Sequence, residues 1–415
     1  MSVYERGFFM SQHEALAYAL IGLLGDEKNI KAILDTAYSY LHNPIHLTDL
    51  TGKLLASSCH DFPVDDIWER IEKNGYIDYE TYQTTCRSNV QKIRGSISPF
   101  IIPNAPQNAT LLVCGIQTPR HFRANLIVLE KEQPIKEVHK SLLALTATAL
   151  SSVLDSRYPD SGPKIHACDY LVCDLLSRSN VDASELKERC RIVSFFPKPP
   201  LQILTVCNSK NITAVPVLNM TRAWLEKTFF PCKTVIHNNR TVTVLTGESK
   251  REGTLDSILS PILKKYSLTA SLSRPFDHLK AIYAHYMETV YALEYGSIVN
   301  PSALFYNYED YMVYRYLEEI RSRQDISHPC IRRLQEHDTK HGTDYTRTLY
   351  AYMTHLCSIH DAAASMHVHY NTLKYRLSRI RELMDLSPEE PGTFLMLYLS
   401  FKSMELDGAV FKEKR

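Results

Sequence analysis

Residues 369–381, His-Tyr-Asn-Thr-Leu-Lys-Tyr-Arg-Leu-Ser-Arg-Ile-Arg, hold four lysines or arginines and no acid. That composition suits phosphate neutralisation and, with Asn371 and Thr372 at one end, hydrogen bonding to base edges. Leu373, Leu377, Ile380 and Met384 recur at i, i+4, i+7 and i+11, one apolar stripe at the helical period. Asn371, Lys374, Tyr375, Ser378 and Arg379 fall towards the other face. A solvated surface helix carries the same pattern, but the stretch before it points elsewhere. Residues 360–366 read as a short helix with alanines at 362–364, and 367–369 as a tight break. Small residues let two helices cross closely, as a helix-turn-helix requires. Val368 then plugs the crossing and His369 takes the N-cap position. Tyr370, Asn371 and Thr372 stand at the helix end that such a unit presents to a DNA major groove. The expected DNA-contacting set is His369, Tyr370, Asn371, Thr372, Lys374, Tyr375, Arg376 and Arg379.

Other chemistries fit less well. His355, Cys357, His360, His367 and His369 fall within fifteen residues, yet their spacing follows no common zinc pattern, so no metal is expected. No G-x-x-x-x-G-K-S/T, G-x-S-x-G or H-E-x-x-H occurs. Gly247 and Gly253 are one residue too far apart for the first of these, with Thr254 where its lysine would stand. Neither a cofactor nor enzymatic activity is expected.

The run from Ala362 and Ala363 through Asn371, Thr372, Leu373, Tyr375, Arg376 and Leu377 to Ile380 resembles the C-terminal helix-turn-helix of PucR/CdaR-type bacterial transcription regulators. Their pattern runs roughly A-A-x-x-L-x-I-H-x-N-T-L-x-Y-R-L-x-x-I. Tyr370 departs from it, standing where the family usually has a basic residue. The resemblance extends back through 334–338 and 348–353 and forward to a helix at 394–406. It implies a sequence-specific regulator, an activator of a catabolic operon that answers to a small-molecule effector. Its partner is double-stranded operator DNA. The alternatives are a ligand-sensing adaptor that does not touch DNA, or a nucleotide-signalling enzyme.

The elements that must position this helix form an α+β multidomain chain. With 415 residues there is room for two to four domains. The formal net charge of +1 gives no global basic field, so DNA binding must rest on a local patch. Ten cysteines without a C-x-x-C pair, a polar and aromatic start containing Glu5, and the lack of a roughly 20-residue apolar run suggest a reducing cytoplasm and no membrane span.

Helical patterns cover 12–41, and Asp49 and Gly52 mark a hairpin turn. Strands are expected at 98–102, 110–117 and 122–130, and a helix at 137–155. This order is similar to a sensor of PAS or GAF type over residues 1–157. Arg120, His121 and Arg123 read as a solvated hairpin tip, with an anion site as the sharper option. Residues 158–164, with two prolines and a glycine, form a linker.

Residues 164–300 alternate helix and strand in a way that resembles the degenerate GGDEF-like domain of the same regulators. The hairpin tip His237-Asn238-Asn239-Arg240 suits a tight turn but offers no carboxylate for Mg²⁺. Residues 301–415 form the all-α helix-turn-helix part. In its first helix Val313, Tyr316, Leu317 and Ile320 read as the buried stripe. In the helix at 344–356, Tyr345, Leu349, Tyr352 and Leu356 face inward, and Pro388 and Pro391 end the recognition-helix region. A homodimer is expected, with Leu142, Leu145, Ala149 and Val153, or Leu16, Ala19, Leu20 and Leu23, either pairing with a copy or covering their own sheet.

Overall fold

The computed structural model of the protein describes residues 11–24, 30–58, 66–86, 96–105, 109–119, 123–157, 166–208, 215–250 and 253–408. The expected linker at 158–164 and Arg120 and His121 lie outside them. The chain divides into two compact units, 1–201 with 211–250 and 276–284, and 202–210 with 251–275 and 285–415. These cut the chain differently from the three expected parts.

The first unit opens with α1 (Gln12–Ile21) and α2 (Ile30–Leu41). Ser11 and Glu14 form a capping box at the start of α1, each accepting from the other's backbone N–H. Then come β1 (Ile45–Asp49), β2 (Leu54–Ser58), α3 (Asp66–Asn74), α4 (Tyr79–Cys86), β3 (Phe100–Ala105), β4 (Ala109–Gln117), β5 (Arg123–Leu129) and α5 (Glu137–Arg157). The strands form one antiparallel sheet in the order β2-β1-β5-β4-β3.

Because strand side chains alternate, the sheet has two distinct faces. Ile45 and Leu47, with Leu112, Cys114, Leu126 and Val128, bury against α1, α2 and α5. On α5, Leu142, Ala149 and Val153 are buried and Leu145 is half-buried; on α1, Leu16 and Leu20 are buried. Both stripes therefore cover their own sheet, and neither is a free dimer surface. The intervening positions, His46, Thr48, Leu111, Val113, Asn125 and Ile127, face the opposite way into a cavity of about 90 Å³ roofed by α3 and α4.

The same unit continues with α6 (Ala167–Ser177), α7 (Ala183–Val193), α8 (Val215–Thr228), β7 (Cys232–His237) and β8 (Arg240–Leu245). Gly52 has φ +82°, a conformation that strains any L side chain, and a Cβ there would lie 3.0 Å from Ile192 Cδ1 at the end of α7, so glycine suits the β1–β2 turn. Beside it Arg189, fully buried, donates to Thr51 Oγ1 at 2.9 Å, Asp174 at 2.5 Å and Glu185 at 2.8 Å, with Asp49 at 3.5 Å. Burial disfavours its charge, but Asp49 and Asp174 outweigh that and keep the guanidinium protonated. Asn238 and Asn239 join β7 to β8 with φ of 48° and 61°, the two-residue turn that the Asn-Asn pair predicts.

The second unit holds β6 (Gln202–Asn208), α9 (Leu255–Tyr266), β9 (Leu268–Leu272), α10 (Ile282–Val299), β10 (Phe305–Asn307) and α11 (Tyr308–Arg321). β6 runs antiparallel and β10 parallel to β9. β10 was not expected. Gly296 makes room for it: a Cβ there would lie 2.3 Å from the Tyr306 ring.

The stripe expected on α11 is corrected. Tyr308, Tyr311, Tyr314 and Leu317 are its buried residues, while Tyr316 and Ile320 are exposed. This helix is apolar on more than one face. The tyrosine face wins because Tyr306, Tyr311, Tyr314 and Tyr295 pack ring to ring and Tyr314 reaches a buried carboxylate, Glu405.

Candidate nucleic-acid interface

The C-terminal module comprises α12 (Pro329–His341), α13 (Tyr345–Thr354), α14 (Ile359–Ser365), α15 (Tyr370–Met384) and α16 (Pro391–Leu406). Its core gathers Leu334, Leu349, Met353, Leu377, Leu397 and Phe401, among others. α13 stops at Thr354. Leu356 then takes a left-handed backbone with φ 51° and is 82% exposed, contrary to the expected inward position. α15 ends at Asp385, itself left-handed with φ 53°, before either proline is reached; Pro391 instead opens α16 at its first turn, where a missing N–H costs nothing.

The break between α14 and α15 is built as its sequence suggests. Ser358 Oγ caps α14 by accepting the Asp361 N–H. Ala362 and Ala363 are buried, His367 turns left-handed with φ 52°, and the Val368 N–H returns to the Ala363 carbonyl at 3.0 Å. His369 caps α15, its Nδ1 accepting the Asn371 N–H at 3.2 Å. Leu373, Leu377, Ile380 and Met384 are buried.

The opposite face is open. His369, Tyr370, Asn371, Thr372, Lys374, Tyr375 and Arg379 are all exposed, with Tyr375 at 62%. Arg376 differs. It is half-buried, donates to Thr348 Oγ1 at 3.3 Å and lies 4.0 Å from Asp344, so it also ties α15 to the start of α13. Arg379 contacts Glu382 at 2.5 Å, an acid one residue past the run read as free of them. A phosphate must compete with that carboxylate for the guanidinium.

Sequence reasoning places Glu389 and Glu390 away from DNA phosphate but assigns Glu389 no partner; it accepts from Arg381 at 2.5 Å, Tyr352 Oη at 2.8 Å and Ser387 Oγ at 2.8 Å. Burial alone would raise its carboxyl. The hydrogen bonds from Arg381, Ser387 and Tyr352 outweigh burial and hold it at about 2, against an ordinary 4.5. A depressed carboxyl contributes stability that is complete above its unfolded value and lost as pH falls through its folded one. Glu389→Gln is therefore expected to cost about 1 kcal/mol near neutral pH, discounted for solvent screening. That difference should shrink as pH falls from 4.5 towards 2; urea unfolding of both proteins at pH 6 and pH 3 measures it.

The clustered histidines do not assemble a metal site. His355 Nδ1 lies 2.7 Å from the Ala351 carbonyl, His360 sits beside Asp361, and among the described residues no three ligating side chains gather. Nor does any described helix have the length and apolarity to cross a membrane.

Residues 345–403 match the PucR C-terminal helix-turn-helix domain. The chain is 26% identical over 138 residues to the "Proline-responsive transcriptional activator PutR" of Bacillus subtilis (strain 168), an overlap of 32% of this chain and 34% of that protein. It is 23% identical over 105 residues to the "DNA-binding transcriptional activator AdeR" of the same organism, covering 25% of each. The overlap thus spans about a third of these relatives or less. The crystal structure of "Regulator of Polyketide Synthase Expression from Bifidobacterium adolescentis" aligns over 57% of this chain and 98% of its own, at 14% identity and a TM-score of 0.27, too loose to bear on the fold.

Proposed function

We infer, from a C-terminal module of PucR helix-turn-helix type, that this protein is a sequence-specific DNA-binding transcription regulator. The observation that carries the reading is the division of α15. One face is locked into the module by four apolar side chains, and the other offers Tyr370, Asn371, Thr372, Lys374, Tyr375 and Arg379 to solvent at the helix start. Such a helix fits the major groove by its N-terminal end. Lys374 and Arg379 neutralise phosphates, Asn371 and Thr372 read base edges, His369 holds the helix start, and Arg376 positions α15 on α13 while lying within reach of the backbone.

Regulation answers to a small-molecule effector. An antiparallel sheet with helices on one face and a cavity on the other supports a PAS/GAF-like sensor over 1–157. The hairpin tip without a carboxylate supports a degenerate, non-enzymatic GGDEF-like part over 164–300, ahead of the DNA-binding part at 301–415. Two relatives named as activators favour activation; a catabolic operon as target follows from the resemblance of the C-terminal module, and a cytoplasmic setting from the scattered cysteines.

The test is fluorescence anisotropy on operator fragments selected from a random pool. Arg379→Ala is expected to weaken binding to every sequence and to flatten the salt dependence by about one counterion. Asn371→Ala should erode preference among sequences by roughly 1–3 kcal/mol. Identical behaviour of the two variants on selected and random duplex would sink these roles.

The working form is a homodimer, because a single module's affinity rarely selects among genomic sites and joining two matches them to half-sites one turn apart or a multiple of it. Light scattering of the full chain should give twice the 47.6 kDa chain mass. A monomer that binds its operator tightly would defeat this part of the reading.

A further inference from the structure

The cavity on the open face of the first sheet is shaped by strand register. Thr48 pairs with Asn125 and His46 with Ile127 across β1 and β5, and Val113 pairs with Ile127 across β4 and β5. All five side chains line the cavity. Its roof is Trp68 of α3, whose ring stacks on His46 with centroids 3.4 Å apart and planes 13° from parallel. Its walls are largely apolar, with Trp68, Leu111, Val113 and Ile127; the sheet contributes the polar His46, Thr48 and Asn125, and α4 contributes Thr81, Tyr82 and Thr85.

Charge is compensated elsewhere. No lysine or arginine is among the described lining residues. His46 faces Glu72 at 3.4 Å. Asp49, at the cavity edge, has one oxygen accepting from Thr51 and Lys53 and the other beside the buried Arg189. An anionic ligand would find no counter-charge, and a cationic one no uncommitted carboxylate; either would carry a heavy desolvation cost against these walls. At 10–15 Å³ per water-sized occupant, 90 Å³ accommodates a molecule of roughly six to nine heavy atoms.

We propose that this cavity binds a small, uncharged, largely apolar molecule, compact enough to lie along the Trp68 wall and carrying one hydrogen-bonding group for the sheet's polar side chains, His46, Thr48 and Asn125. The proposal rests on reading this unit as the effector sensor and specifies the chemistry of the effector.

The chain has two tryptophans, so in full-length Trp224→Phe protein Trp68 alone reports on the cavity. Benzamide and cyclohexanecarboxamide serve as neutral probes, and benzoate and cyclohexanecarboxylate as charged partners of matched shape. Both amides should change Trp68 emission saturably, with Kd at least about tenfold below those of the carboxylates. Val113→Phe, which fills the cavity, should abolish the response. Should that variant fail to fold, Asn125→Leu, which keeps the branching at Cγ and removes the polar atoms, should weaken the amides about tenfold while the far-ultraviolet circular dichroism is kept. Carboxylates binding as well as amides, or no saturable response to either amide, overturns the proposal. Amides that bind without moving operator affinity uphold the cavity's chemistry and remove the sensor reading alone.

Discussion

Arg189→Ala is expected to destabilise the first unit by roughly 3 kcal/mol, at the lower end of the range for breaking a buried ion pair. Arg189 is fully buried and meets three carboxylates and a hydroxyl. Removing it strands those carboxylates, which is worse than removing the whole cluster. The cost stays at the lower end because Asp174 keeps Lys53 and Arg178, and Glu185 keeps Arg178. Asp49 loses most, and it sits on the β1–β2 turn beside the cavity, so Trp68 emission should report the loss. Arg189→Lys, retaining charge without the planar fork, should recover part of it. Urea unfolding followed at Trp68 in the Trp224→Phe background measures both; a loss below about 1 kcal/mol for the alanine variant would show that water reaches the cluster.

A second large effect is expected at Glu405→Ala, about 3–5 kcal/mol on the second unit. Glu405 is 5% exposed and accepts hydroxyls from Tyr314 of α11 and Tyr350 of α13, the latter at 2.5 Å, with Lys402 Nζ at 3.1 Å. Burial first, and the donated hydrogen bond second, push both tyrosines above their ordinary range, so they remain donors at every physiological pH. Truncating the acceptor leaves the two buried hydroxyls without the carboxylate they donate to and the Lys402 ammonium without its counter-charge, with Tyr314 Oη at 3.2 Å as its remaining partner, whereas Glu405→Gln keeps acceptor capacity and should cost less. Because Tyr350 anchors α13 and Leu349 of the same helix packs in the core with α15, operator affinity should fall in step with thermal stability. Thermal unfolding and anisotropy on one preparation check this; full operator binding by a strongly destabilised variant would contradict the coupling.

These two sites mark where sequence reading stopped. Neither Glu405 nor Arg189 is set apart by its own stretch of sequence. A charged residue in an amphipathic pattern is ordinarily exposed. Only partners distant in sequence, Tyr314 and Tyr350 for one and Asp49 and Asp174 for the other, justify burying it. The stripe on α11 failed for the same reason. Its periodicity allowed two faces, and the choice rested on which face met other rings and a buried acceptor.

The sequence by itself determined what local interactions decide. The leucine spacing of α15, the alanines at 362 and 363, His369 as its cap, and the Asn238-Asn239 turn all depend on contacts within a few residues, and each is found where its residue types place it. It likewise determined the helix-turn-helix identity of the C-terminus. Tertiary structure alone decided whether the α1 and α5 stripes cover their own sheet, that β10 joins β9, that Arg376 turns towards α13, and that the apolar cluster on the alternate face of β1, β4 and β5 leaves a cavity. Those outcomes depend on which apolar surfaces meet and how completely they fill the space between them, and no period along one segment encodes that.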